Sequence, residues 1–296
     1  MPLPAALHRR AKRALERLLG AHIYRRRIVV HWDGERVRLT PEDLRAAQAY
    51  GVAPDIHRDD YIFRTLCALF DGDARAAYAH YLLSGRTSAE KVRDLVARHW
   101  PLPVADGAIM ERLLMLDFAA GYGGATRHFK AAFPRATVVP MDIHDAALRF
   151  NRDVLGLPAM ASHADPDKLD VPHRFDVTFA LSFFSHLPRR TFGRWLAKLA
   201  DLTRPGGLMI FTAHGETSHR TLLPHVSVDA DGYGFVAETE QQDLPTADYG
   251  HAVTYRRFVE AEIGRLNGVT LADVLPAHWW THQDAYVLRR AAAAAP

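Results

Sequence analysis

The chain predicts an α/β fold: a mostly parallel sheet with an antiparallel last strand, preceded by a mainly helical N-terminal region. Three observations carry this expectation. From about residue 112, apolar runs alternate with segments of helical periodicity. One of those runs ends in an acid followed at once by glycines, "LLMLDFAAGYGGATRHF" at 113–129. Two further runs, "VTLADVLPAHWW" and "DAYVLRR", end the sequence around a short turn and predict an antiparallel addition to the sheet.

The N-terminal part reads differently. "LHRRAKRALERLLG" sets Leu7, Ala11, Ala14, Leu15 and Leu18 on one helical stripe, with Arg and Lys opposite and Arg25, Arg26 and Arg27 soon after. A basic amphipathic helix over residues 5–27 suits either an anionic membrane surface or packing on its own domain. "RIVVHWDGERVRLT" predicts two short strands around an Asp33-Gly34 turn. Thr40 is a candidate N-cap with Pro41 at the first helical position, and Ser88 is a candidate cap for "SAEKVRDLVARHW". "PLPVADG" marks the joint, which divides the chain into an N-terminal region (1–105), a sheet domain (106–290) and a frayed Ala-rich tail (291–296).

Beyond the joint, the predicted strands are "LLMLDF", "ATVVPMD", "FDVTFAL" and "GLMIFTAH". "GATRHFKAAF", "HDAALRFNRDVLG" and "TFGRWLAKLADLT" supply helices between them, and right-handed crossovers bring the loops to the carboxyl edge. "DADGYGFVAETEQQDLP" is expected to form a lid or small hairpin over the acceptor site.

Composition excludes several functions. A net charge of +3 over 296 residues does not imply a nucleic-acid surface. The lone Cys67 cannot form an internal disulfide, no cysteine metal site is present, and no apolar run is long enough to cross a bilayer. A cytoplasmic protein without a secretory leader or a bound metal is expected.

The glycine loop bears on the ligand. Counting from Gly121, a dinucleotide fingerprint would need a third glycine where Thr126 stands. Asp117 precedes Gly121 by four residues, and a carboxylate beside the loop suits a ligand with an ammonium group better than a pyrophosphate. Asp142 ends the next strand, 142 − 117 = 25 residues on, where an acid can accept two hydrogen bonds from ribose hydroxyls. S-adenosylmethionine has a cationic end and a ribose.

Residues 110–290 resemble the class I S-adenosylmethionine-dependent methyltransferases, a Rossmann-like family. "LDFAAGYGG" resembles the first motif, "PMDIH" the second, "FDVTFALSFFSHL" the fourth strand with its loop, and "LTRPGGLMIFTAHG" the turn into the fifth strand. Ala119 departs from the pattern, standing where the family has the first loop glycine. The resemblance implies that Asp117, Phe118, Ala119, Gly121 and Gly123 line the methionine portion, that Asp142 holds the ribose and that Ile143 lies against the adenine. It also implies that Asp165 contacts the adenine amino group, that Tyr122 covers the cofactor, and that Ser182 and Phe183 begin the loop beside the methyl. The product would be S-adenosylhomocysteine.

Transfer to a hydroxyl needs a base, and His186 and His214 stand at strand ends where they could serve. His251 and His282 are less well placed by sequence alone. A softer resemblance, from "YLLSGR" to "HQDAYVLRR", to bacterial methyltransferases of glycan or secondary biosynthesis leans towards a small-molecule or sugar hydroxyl. N- or carboxyl methylation of a metabolite and a non-catalytic binding module remain the alternatives. No Asn/Asp-Pro-Pro-Tyr motif speaks for nucleic-acid methylation.

Overall fold

The computed structural model describes residues 32–100, 113–239, 241 and 244–292. The basic segment 5–27 and the joint around residue 105 lie outside the described residues, as do residues 293–296 of the tail. Within the described residues, no helix is long and apolar enough to cross a membrane.

The chain opens with a minimal hairpin, β1 (Trp32–Asp33) and β2 (Arg36–Val37), around Gly34 in the left-handed region. Helix α1 (Pro41–Tyr50) starts at Thr40 with a reciprocal capping box. The Thr40 hydroxyl accepts from the Asp43 amide, and the Asp43 carboxylate accepts from the Thr40 amide. Helices α2 (Tyr61–Leu69) and α3 (Ala74–His99) follow, capped by Asp60 and Asp73.

Ser88 does not cap a helix. It lies inside α3, which runs unbroken for 26 residues, about 39 Å at the standard rise. The Ser88 hydroxyl is buried and accepts from Trp279 Nε1 at 3.0 Å. Ser84-Gly85 reads as a break by propensity, but tertiary packing overrides it here. The first half of α3 belongs to one core through Tyr78, Tyr81 and Leu82, with Phe63 and Ile56. Its second half, Val92, Leu95 and Val96, packs on the sheet. One helix therefore ties the N-terminal region rigidly to the domain beyond it.

That domain is a seven-stranded sheet in the order β10-β11-β7-β6-β3-β4-β5. Its strands are β3 (Leu114–Phe118), β4 (Thr137–Asp142), β5 (Met160–Ala161), β6 (Phe175–Ala180), β7 (Thr203–His214), β10 (Val269–Trp279) and β11 (Gln283–Arg290). Pairings from β5 through β7 are parallel, whereas β11 pairs antiparallel with both β7 and β10. Alternation along β3 feeds both faces: Leu116 and Phe118 point to one core, and Met115 to the other. Helices α4 (Thr126–Ala132), α5 (Asp145–Asp153), α6 (Arg189–Leu202) and α8 (Arg256–Ile263) cover the sheet, with the short α7 (Glu216–Thr221) after β7. The segment expected to form a lid or small hairpin contributes β8 (Tyr233–Val236), which pairs antiparallel with β9 (His251–Thr254) beyond it.

Candidate active site

Strand order reverses between β3 and β6, and a crevice opens at such a switch point. Here it is a cleft of about 1620 Å³ that reaches from the carboxyl edge of the sheet to α2.

Two carboxylates anchor its floor. Asp117, at the end of β3, is buried and accepts a 2.5 Å hydrogen bond from the Thr126 hydroxyl. Burial pushes its pKa from 3.8 up to about 7, with the nearby Asp142 charge acting in the same direction and the Thr126 bond against it. Asp142 ends β4. One oxygen accepts from the Gly121 amide at 2.7 Å, and the other from the His144 amide at 3.0 Å and from His144 Nδ1 at 2.7 Å. A carboxylate offers about four lone-pair sites. With three engaged, the Asp142 carboxylate has one acceptor site left.

The loop between β3 and α4 is shaped from both sides. Gly121, with φ +54°, opens on the cleft, because a Cβ there would meet nothing within 4 Å. Gly123 does not line the cleft. A side chain there would lie 2.6 Å from Asn151 Oδ1 and 2.5 Å from Leu155, so its lack of one lets α5 pack close. Ala119 holds φ +56°, left-handed despite its methyl group. On the neighbouring strand end Ser182 holds φ +60°, so two strained non-glycine residues share the carboxyl edge.

The other expected residues divide. Phe118, Ala119, Tyr122, Ile143, Ser182 and Phe183 line the cleft, and Ile143 exposes its side chain at the rim. Asp165 does not. It caps a 3-10 turn, Pro166–Lys168, accepts from the Asp167 amide, and forms an ion pair with Arg194 at 2.6 Å. His163 and Ala164 line the cleft at that point.

His186 and His214 both reach the cleft, and the structure adds His251 and His282 beside them. Ring centres lie 6.4 Å apart for His186–His214, 5.7 Å for His186–His251 and 5.9 Å for His214–His282. His186 stacks on Tyr249 at 4.4 Å and meets the Gly250 carbonyl through Nδ1 at 2.9 Å. A carbonyl only accepts, so Nδ1 carries the proton and neutral His186 keeps its lone pair on Nε2.

His214 has the opposite arrangement. Gln283 fixes its amide by accepting from the Thr212 hydroxyl at 2.7 Å, and its nitrogen donates to Ser182 Oγ and to His214 Nε2. The Nε2 lone pair is thereby engaged. Burial, reinforced by the neighbouring histidines, holds the His214 pKa well below the usual range. Sequence reasoning missed Gln283. Its only signal was a polar residue just before the apolar stretch Ala285–Leu288 of the closing strand. Among the described residues no group of His, Cys, Asp and Glu is arranged to hold a metal ion.

Sheet order, switch-point cleft and paired strand-end carboxylates define a doubly wound domain with its cleft at the carboxyl edge of the sheet. Residues 116–209 match the family model described as a methyltransferase domain, which agrees with the resemblance of residues 110–290 to the class I S-adenosylmethionine-dependent methyltransferases. Solved structures with the same fold include DesVI from Streptomyces venezuelae (17% identity, 75% of this chain and 99% of that one, TM-score 0.49). Another is the magnesium protoporphyrin IX methyltransferase of Synechocystis PCC 6803 with bound SAH (16%, 72% and 87%, 0.49). A third is CalS10, an amino pentose methyltransferase of Micromonospora echinaspora (16%, 73% and 95%, 0.48). No curated protein matches.

Proposed function

We propose that the protein methylates a hydroxyl of a small molecule at the expense of S-adenosylmethionine, with His186 as the general base. The residues present fit that cofactor: a buried carboxylate faces the cleft at Asp117, a second with one acceptor site to spare stands at Asp142, and Ile143 offers an apolar rim. Asp117 would meet the amino-acid end, Asp142 a ribose hydroxyl, and Ile143 a face of the adenine. When bound, S-adenosylmethionine supplies an electrophilic methyl group on a sulfonium.

The chain's own residues supply alignment and the proton acceptor. The Gly250 carbonyl keeps the His186 proton on Nδ1, so Nε2 can accept the proton of an acceptor hydroxyl as it attacks. His214 is unsuited to that task because its Nε2 already accepts from Gln283. It serves with Gln283 to hold Ser182. The observation that carries the proposal is this difference in tautomer and engagement between two histidines in one cleft.

Calorimetric titration of S-adenosylhomocysteine into the wild type and Asp142→Ala tests the cofactor site. Binding that is lost in the variant is expected. A folded wild type that binds none would remove the proposal and leave a binding module.

A further inference from the structure

Three features of the cleft bear on what it accepts. The first is charge. The chain has 37 Lys and Arg residues, yet among the described residues none lines the cleft. Seven acids do: Asp59, Asp60, Asp117, Asp142, Asp145, Glu238 and Asp248. Two of these, Asp117 and Asp142, belong to the cofactor end, and the rest are spread around the remaining walls.

The second is the histidines. Burial lowers the pKa values of three of those that line the cleft, His80, His214 and His282, so these three do not supply positive charge. The third is the wall facing the sheet. There α2 contributes Ile62, Leu66 and Leu69 to the lining, and Leu222, Leu223 and Leu244 also line the cleft. Ile62 is a large apolar side chain in this lining and is 55% exposed.

We infer that the acceptor is an uncharged molecule with an apolar body, and that anionic acceptors such as phosphate esters, nucleotide-linked sugars and carboxylates are excluded. The inference rests on the methyltransferase reading for what happens to the acceptor, but charge and shape selection are properties of the cleft itself. A phosphate ester entering here would meet, among the described residues, seven lining acids, of which Asp248 is paired with Arg190, and no lining Lys or Arg, and like-charge juxtaposition in a partly desolvated cleft is strongly unfavourable. A neutral aromatic or alicyclic body would instead cover the leucine wall, with its hydroxyl turned to His186.

The test uses a matched pair of fluorescent probes, 2-naphthol and 2-naphthyl phosphate, titrated into the full chain at pH 7.5 with and without S-adenosylhomocysteine. The neutral probe should bind at least about tenfold more tightly. Ile62→Lys, a change at an exposed position, should bring the two affinities within about threefold by placing a cation in the lining. Equal or tighter binding of the phosphate by the wild type overturns the inference, as does a cleft that takes neither probe. Calorimetry with S-adenosylhomocysteine on the same samples separates the failures. Its loss with the probe preference intact removes the methyltransferase reading alone, and its presence with no preference removes the charge selection alone.

Discussion

The imidazole of His57 lies flat on the phenol ring of Tyr122, with ring centres 4.5 Å apart and planes 10° from parallel. His57 belongs to the segment between α1 and α2, and Tyr122 to the glycine loop. Phe150 closes an aromatic triad on α5, 5.6 Å from His57 and 5.8 Å from Tyr122. Arg127 reinforces the junction by donating from Nη1 to the carbonyls of Ala53 and Asp55, and from Nη2 to that of Tyr122. The N-terminal region thus forms part of the clamp on the cofactor loop. His57→Ala should cost about 1 kcal/mol of stability, the usual worth of an aromatic pair. Chemical denaturation measures that cost, and S-adenosylhomocysteine titration should show severalfold weaker binding. Unchanged affinity would mean the loop keeps its shape without the stack.

Asp117 should make binding of an ammonium-bearing ligand pH-dependent. Its pKa in the folded protein stands near 7, above the ordinary 3.8, so its contribution to stability is complete below about 3.8 and is lost as pH rises through 7. A cationic ligand prefers the ionised carboxylate. Affinity for S-adenosylhomocysteine, through its ammonium group, should therefore rise between pH 5.5 and about 7.5 and then level off, with proton release below about 7. Calorimetry in buffers of different ionisation enthalpy reads the proton count. Asp117→Asn should flatten both curves, and a wild-type affinity independent of pH would show that Asp117 does not face the ammonium.

Ala119 is a residue in a glycine's conformation. At φ +56° its methyl crowds the following carbonyl, at a cost of about 1–2 kcal/mol, partly offset because glycine has more freedom to lose on folding. Ala119→Gly should therefore stabilise the protein by about 0.5–1 kcal/mol, measured as a higher melting temperature. A loss of stability would mean that the Ala119 methyl makes packing contacts worth more than the strain.

His186 and His214 should separate kinetically. His186→Ala is expected to lower turnover by about 10²–10⁴ while leaving S-adenosylhomocysteine affinity intact. His214→Ala should act mainly through the position of Ser182 and retain a larger share of turnover. Methyl transfer from labelled cofactor to an accepted hydroxyl compound gives both values, and full turnover by His186→Ala would dismiss it as the base.

That Asp117, Gly121 and Asp142 line the cleft was legible because their signals are local. An acid closing an apolar strand, as at Asp117 and Asp142, has few reasons to be there without a partner. Asp165 failed as a site residue for the same kind of reason. Asp-Pro-Asp is also a strong turn signal, and Asp165 Oδ1 takes both the capping bond from the Asp167 amide and the ion pair with Arg194. The acceptor half was not legible. Which leucines of α2 face the cleft, and that Gln283 stands beside His214, depend on pairings between segments far apart in the chain. The continuity of α3 was hidden too, because the Ser84-Gly85 pair carries no mark of what lies against it.

Gly85 offers the sharpest test of that packing. By helix propensity alone, Gly85→Ala in mid-helix should stabilise the protein by about 1 kcal/mol. The geometry predicts the opposite sign. A Cβ built on Gly85 would lie 2.2 Å from the carbonyl oxygen of Gly124 and 2.6 Å from His128 Cδ2, and the first of these is loop backbone. Relief requires α3 and the glycine loop to separate. The loop is also held by Gly123 against α5 and by the Asp142 bond to Gly121, so the strain has no easy outlet. Gly85→Ala should therefore destabilise by about 1–3 kcal/mol, the range for overpacking, and weaken S-adenosylhomocysteine binding as the loop is displaced. Leu83→Ala, two residues away and 46% exposed, serves as the control and should change stability little. Urea denaturation of the two variants decides the matter, and a more stable Gly85→Ala protein would show that α3 and the loop do not touch.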